Sequence, residues 1–173
     1  MTGFIALVLL TGALVAAGAE SEKGQGIAFG AGLLNAGGDL GFQGTVTSPW
    51  FRKGAALRAG AFMQYMKADD WRPYYGFKAG LVGGSFMATA DIRLYGEGGF
   101  TFLFPSSHFD DHSFALGGYG HFGFEFFIDR TRTGLAYYIE LGSNGIGAKA
   151  DKLPGKPDYV NGFAAAVGLR YYP

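Results

Sequence analysis

From residue 27 to the end of the chain, apolar side chains recur at every second position, and that period excludes most folds. A helix buries positions spaced by 3.6 residues, whereas a strand presents alternate residues to opposite faces. The first such run sets Ile27, Phe29, Ala31 and Leu33 on one face, with glycine and alanine between them. The second sets Leu40, Phe42 and Val46 against Asp39, Gln43, Thr45 and Thr47. The third sets Leu57, Ala59, Ala61, Met63 and Tyr65 against Arg58, Phe62 and Gln64, and the fourth Tyr75, Phe77, Ala79 and Leu81 against Tyr74, Lys78 and Val82. A long fifth run is apolar at Phe86, Ala88, Ala90, Ile92, Leu94, Phe100, Phe102 and Phe104, opposite Thr89, Asp91, Arg93, Tyr95 and Glu97. The sixth carries Phe114, Leu116, Phe122, Phe124, Phe126 and Ile128 against Tyr119, His121 and Glu125. The seventh carries Leu135, Tyr137, Ile139 and Leu141 against Tyr138 and Glu140, and the eighth Phe163, Ala165, Val167, Leu169 and Tyr171 against small residues and Arg170. Eight strands are expected.

Composition narrows what those strands can build. The 173 residues include 31 glycines, 17 phenylalanines and 10 tyrosines, and no cysteine. So many glycines disfavour helices, each costing about 1 kcal/mol against alanine inside one. So many aromatics are too much apolar surface for a disordered chain to leave in water. Disulfide scaffolds and cysteine-ligated metals are excluded outright. Fourteen basic residues against 14 acidic ones give no positive field, and hence no reason to expect a nucleic-acid partner.

Residues 1–19 contain no charge, carry an apolar run and end Ala17-Gly18-Ala19 before Glu20. That small-x-small ending is expected of a cleavable signal peptide, leaving residues 20–173 as one domain. The connections alternate in character. Segments 48–53, 83–85 and 129–133 read as tight turns at one rim. At the other rim, the short 35–38 connection is joined by longer polar segments at 67–73, 105–112 and 148–158. This is the arrangement of an antiparallel up-and-down transmembrane barrel.

The two faces of the strands are unlike. One is strongly apolar. The other mixes small residues and tyrosine with Arg58, Lys78, Arg93 and Arg170, matched by Asp91, Glu97, Glu125 and Glu140. Four charges of each sign, with His121 beside them, are expected to pair inside a barrel that is only wide enough for its side chains to fill it. The aromatics are too numerous for that lumen and should face lipid. A soluble β-sandwich is the competing arrangement, but many runs reach the ten or so residues that a tilted membrane strand needs. Trp50, Phe51, Trp71, Tyr74, Tyr75, Tyr171 and Tyr172 sit near strand ends and are expected to form the aromatic girdles at headgroup level.

Three segments carry a family resemblance. Gly-Phe-Glu-Phe-Phe-Ile at 123–128, Tyr-Tyr-Ile-Glu-Leu-Gly at 137–142 and Gly-Phe-Ala-Ala-Ala-Val-Gly-Leu-Arg-Tyr-Tyr at 162–172 resemble the closing strands of small bacterial outer-membrane barrels. That group holds the OmpA transmembrane domain, OmpX and the opacity-type surface proteins. The resemblance implies an all-β, eight-stranded barrel in the bacterial outer membrane, a monomer in contact with lipid and lipopolysaccharide and inserted by the outer-membrane assembly machinery. It further implies a structural or surface role in envelope integrity or adhesion, with no cofactor. A narrow channel for small amphiphiles and a lipid A-modifying enzyme are the alternatives. Barrels of this group usually end in an outward aromatic; the position in register here is Pro173.

Candidate chemistry is sparse, and no catalytic residue is expected. His108, Asp110, Asp111 and His112 form the densest set of metal-ligand types, but on a loop with no further ligand in view, so no metal site is expected. His121, Glu125, Glu140 and Ser143 invite comparison with the Ser/His/Glu set of lipid A deacylases. His121 and Glu125 are four apart on one strand face, about 13 Å, too far to hydrogen-bond. The Gly-x-Gly repeats precede no helix and so are not phosphate loops. Lys149, Lys152 and Lys156 make the segment 149–157 basic, Pro154 and Pro157 stiffen it, and at the outer face it could meet lipopolysaccharide phosphates.

Overall fold

The computed structural model describes residues 24–51, 54–67, 69–89, 91–128 and 134–173; the expected signal segment and the turn at 129–133 lie outside them. Eight strands follow in order: β1 Ala28–Ala36, β2 Asp39–Thr47, β3 Ala55–Met66, β4 Arg72–Thr89, β5 Ile92–Phe104, β6 Ala115–Phe127, β7 Gly134–Ile146 and β8 Gly162–Tyr172. Each pairs antiparallel with its sequence neighbours, and β1 pairs with β8 to close the barrel. Closure leaves no unpaired sheet edge, which is the requirement for strands that cross lipid.

The parity read from the sequence sets the two faces. Phe29, Leu33, Phe42, Leu57, Phe77, Leu81, Phe100, Phe122, Ile139, Val167 and Leu169 are exposed on the outer surface. Arg58, Gln64, Arg93, Thr101, Glu125, Glu140 and Arg170 are buried inside. Register partners share a face, so the pairing Leu33↔Val167↔Ile139 continues one apolar belt across the β1–β8 seam.

One boundary differs from the sequence expectation. Segment 83–85 is not a turn: β4 runs on to Thr89, and Phe86 belongs to β4, not to β5. The β4–β5 register shifts between Gly83 and Phe86, and Gly84 has φ +69°. A glycine with positive φ and an extra residue in one strand is the chemistry of a bulge, which shares its composition with a tight turn. The β1–β2 connection, in contrast, is a two-residue hairpin whose Gly37 and Gly38 have φ +63° and +94°. Positive φ at both central residues gives the twist that adjoining strands need.

The two rims differ. The rim holding the β2–β3 and β4–β5 connections also holds Gly24 and Pro173. At the opposite rim, segments 105–114 and 147–161 fold inward over the mouth. There Phe109 and Tyr159 pack against Tyr74 with ring centroids 6.4 and 5.3 Å away, and all three side chains are fully buried.

Candidate functional site

The barrel interior is a continuous chain of alternating charges. Starting from the rim that holds Gly24 and Pro173, Arg93 Nη1 donates to Glu125 at 3.0 Å, and Glu125 accepts from Arg170 at 3.0 Å. Arg170 donates on to Glu140 at 3.2 Å, Glu140 accepts from Arg58 at 2.9 Å, and Arg58 donates also to Glu97. Strand parity explains the column, because β3, β5, β6, β7 and β8 each turn at least one of these residues inward. Charges of opposite sign in a low-dielectric interior hold one another only when their remaining donors and acceptors are met. Tyrosine supplies such bonds to the carboxylates: Tyr95 donates to Glu140 at 2.6 Å, Tyr119 to Glu97 at 2.7 Å and Tyr172 to Glu125 at 2.7 Å. Arg58 Nε also donates to Thr47 Oγ1 at 2.8 Å.

The four-against-four set expected from the sequence becomes a chain of three arginines and three glutamates. Lys78 stands apart, its ammonium over the rings of Phe62 and Tyr119 at 5.6 and 5.2 Å. His121 is buried with its ring 5.1 Å from that of Tyr119. Asp91 sits in the hairpin end just before β5, where its backbone carbonyl accepts the Phe127 N–H. The cavity between Arg58, Lys78, Glu97, His121 and Glu140 has a volume of about 10 Å³, room for no more than a single water.

Two residues expected in the aromatic girdles are inside instead. Tyr74 is fully buried and donates to Asp39 at 2.6 Å, and Tyr172 is buried against Glu125. Each lies next to an outward aromatic, Tyr75 or Tyr171, and adjacent residues on a strand point to opposite faces. Trp50 is half-buried, with Arg93 stacked 5.3 Å from its ring, and so helps close the lumen at the rim that holds Gly24 and Pro173. Phe51, Trp71, Tyr75 and Tyr171 are exposed.

The interior tyrosines are laid over glycines, a relation that needs the cross-strand register. Directly opposite Phe62, Tyr95, Tyr119 and Tyr138 stand Gly76, Gly123, Gly99 and Gly168. A Cβ on Gly123 would fall on the Tyr95 ring, and one on Gly76 on the Phe62 ring. Reaching across Gly123, the Tyr95 hydroxyl arrives at Glu140, itself the β7 partner of Gly123. Tyr138 crosses Gly168 to Gly32 in the same way, and its hydroxyl accepts from Gln43 Nε2 at 3.2 Å. Gly123→Val should therefore push Tyr95 off Glu140 and destabilise the barrel by about 1–3 kcal/mol in urea unfolding. An unchanged midpoint would mean that the ring has somewhere else to go.

The loop rim holds the remaining candidates. His108 lies 2.8 Å from Asp69, and His112 Nδ1 lies 2.8 Å from Asp110. Burial alone would raise the Asp110 pKa, but hydrogen bonds from the His112 backbone and ring outweigh it and hold it below the usual range. The same contact raises the His112 pKa. Each loop lysine has an acidic neighbour: Lys149 with Asp158 at 3.8 Å, Lys152 with Asp111 at 2.5 Å and Lys156 with Asp151 at 3.4 Å. Ser143 lies in β7, in register with Gly120 and Phe163. His121 pairs with Gly142 and Glu125 with Tyr138, so neither stands opposite Ser143.

No family model matches the chain, and no curated protein matches its sequence. A solved structure does match in shape: the N-terminal β-barrel domain of Pseudomonas aeruginosa OprF. The TM-score is 0.59 at 7% identity, covering 85% of this chain and 96% of that one. The two barrels share one fold. At so low an identity the likeness rests on strand number, order and closure, not on shared side chains. The eight-stranded resemblance drawn from the closing strands thus has a structural counterpart in the OprF barrel.

Proposed function

We propose that the chain is an integral outer-membrane barrel of a bacterial envelope, with a plugged lumen, a structural or surface role and no catalysis. One observation carries the reading: the usual distribution of a soluble protein is inverted. Arg93 and Arg170 are 2% and 1% exposed, while Phe100, Leu57 and Leu33 are 61%, 59% and 55% exposed. An apolar belt of this extent is far larger than the patches soluble monomers leave in water. Lipid gives it a solvent, and backbone closure satisfies every strand within it.

The partners follow from that setting. Lipid covers the belt, lipopolysaccharide meets the loop rim, and the assembly machinery inserts the strands. With every edge paired, a monomer suffices, and nothing in the charge balance favours nucleic acid. Residues 1–19 act as the export signal.

Two measurements test the reading. In detergent, unheated and boiled samples should migrate differently on a gel, and identical migration would count against a barrel. In planar bilayers the purified protein should give no steady conductance, since the ionic chain and the ring cluster close the lumen at both ends. Stable open levels would favour the narrow-channel alternative. Lipid A that keeps all its acyl chains in the presence of the protein would agree with the absence of catalysis, and a lost chain would overturn it.

A further inference from the structure

The loop rim contains a ligand set that neither the barrel wall nor the ionic lumen uses. Asp110 and His112 come from the β5–β6 loop and Asp151 from the β7–β8 loop, far apart in sequence. One ligand-type atom from each lies within 4.8 Å of the other two. The two loops are held together around this point. The Lys152 N–H donates to the Phe109 carbonyl at 3.0 Å, and its ammonium donates to the Ser107 carbonyl at 2.8 Å. The Asp110 side chain is only 4% exposed and is fixed by the His112 N–H at 2.9 Å and the ring at 2.8 Å.

A second observation points into the same cluster. Tyr159 is fully buried, and its hydroxyl has no hydrogen-bond partner among the described residues. Its ring lies 6.2 Å from that of Phe109, the residue before Asp110, and its N–H donates to the Ala148 carbonyl at 3.3 Å, so the phenol sits where the two loops meet. A buried hydroxyl without a partner is costly unless something nearby receives its proton. The charges facing the cluster are Asp110, Asp111 and Asp151 against Lys152 and Lys156.

We propose that Asp110, His112 and Asp151 bind one divalent first-row transition ion of the zinc class, which ties the β5–β6 loop to the β7–β8 loop. One imidazole with two carboxylates suits such an ion, whereas calcium and magnesium prefer all-oxygen sets. Tetrahedral bonds of about 2.0–2.2 Å place ligand atoms about 3.3 Å from one another. The exposed Asp151 closes to that spacing by rotation, with Lys156 releasing it, and the His112 ring opens from 2.8 Å, exchanging its hydrogen bond to Asp110 for the shared ion, while the His112 N–H still holds Asp110. Tyr159 then donates to a ligating carboxylate, the outer bond that orients it.

The test is calorimetric titration of Zn²⁺ into the full chain, folded in detergent and stripped with chelator, with gel mobility confirming that each variant is a folded barrel. One ion per chain is expected. Asp151→Asn and His112→Ala should each abolish that binding. His108→Ala should leave it intact, because that imidazole pairs with Asp69. Tyr159→Phe should keep the stoichiometry and weaken affinity about 10–100-fold. Binding by Asp151→Asn equal to the parent would overturn the proposal, as would its loss in His108→Ala or no uptake at millimolar Zn²⁺. Undiminished affinity in Tyr159→Phe would remove the tyrosine from the site. Displacement of Zn²⁺ by equimolar Ca²⁺ would overturn the choice of ion class.

Discussion

Glu140→Ala should cost the barrel about 3–5 kcal/mol, as breaking a buried ion pair usually does. Glu140 Oε1 accepts from Tyr95, Arg58 and Arg170 at 2.6, 2.9 and 3.2 Å, so its loss takes one carboxylate partner from each of two neighbouring guanidiniums. Arg58 keeps Glu97 and Arg170 keeps Glu125, but the chain of charges then carries one net positive charge in the buried interior. Glu140→Gln separates charge from shape. It fills nearly the same volume and should recover little of the loss if the negative charge is what holds the two arginines. The loop pair Lys149–Asp158 serves as the comparison, since both partners are about half exposed and its removal should cost less than about 1 kcal/mol. Urea unfolding from micelles, followed by the folded band on unheated gels, measures all three. A Glu140→Ala cost as small as that of the loop pair would sink the interior chain as a source of stability.

The second large effect tests what surrounds the barrel. Val167 lies midway along β8, 48% exposed, with Leu33 and Ile139 beside it on the outer face. Val167→Arg should cost about 2–4 kcal/mol if that face meets the middle of a bilayer. Leu135→Arg, on the same face but at the first turn-side residues of β7, should cost about 0–1 kcal/mol because the arginine reaches the headgroups. Depth dependence is the diagnostic. Equal and small costs at both positions, measured by refolding into lipid vesicles, would mean that the belt faces water or protein instead.

Strand number and facing were legible in the sequence because a period of two is a one-dimensional signal. Arg58, Arg93, Glu97, Glu125, Glu140 and Arg170 each have the parity opposite to the outward apolar residues of their own strands, such as Leu57, Phe100, Phe122, Ile139 and Leu169, and parity alone puts them inside. Parity also held the answer for Tyr74 and Tyr172, which alternate with Tyr75 and Tyr171; reading them as girdle followed their place along the strand and not their face. The bulge at Gly83–Phe86 was not legible, because glycine with positive φ serves turns and bulges alike. Partners within the lumen depend on register between strands and on the closure of β1 with β8, neither of which a single strand encodes. For the same reason Asp151 could not be joined to Asp110 and His112: the loops that carry them are separated by two whole strands, β6 and β7. Parity places Tyr95, Tyr119 and Tyr138 on the inner face, but their role as bridges over glycines depends on the opposite strand.

The β1–β8 seam also sets the order of events in folding. Phe29 pairs with Tyr171, so the first strand waits for the last before either has both its neighbours. Contacts between residues so distant in sequence are slow to form. Until they do, two open edges flank an apolar surface that can pair with any other chain. Holding the chain apart from its own kind until β8 arrives is therefore a demand made by the topology itself, and a ring of eight strands becomes safe only at its final step.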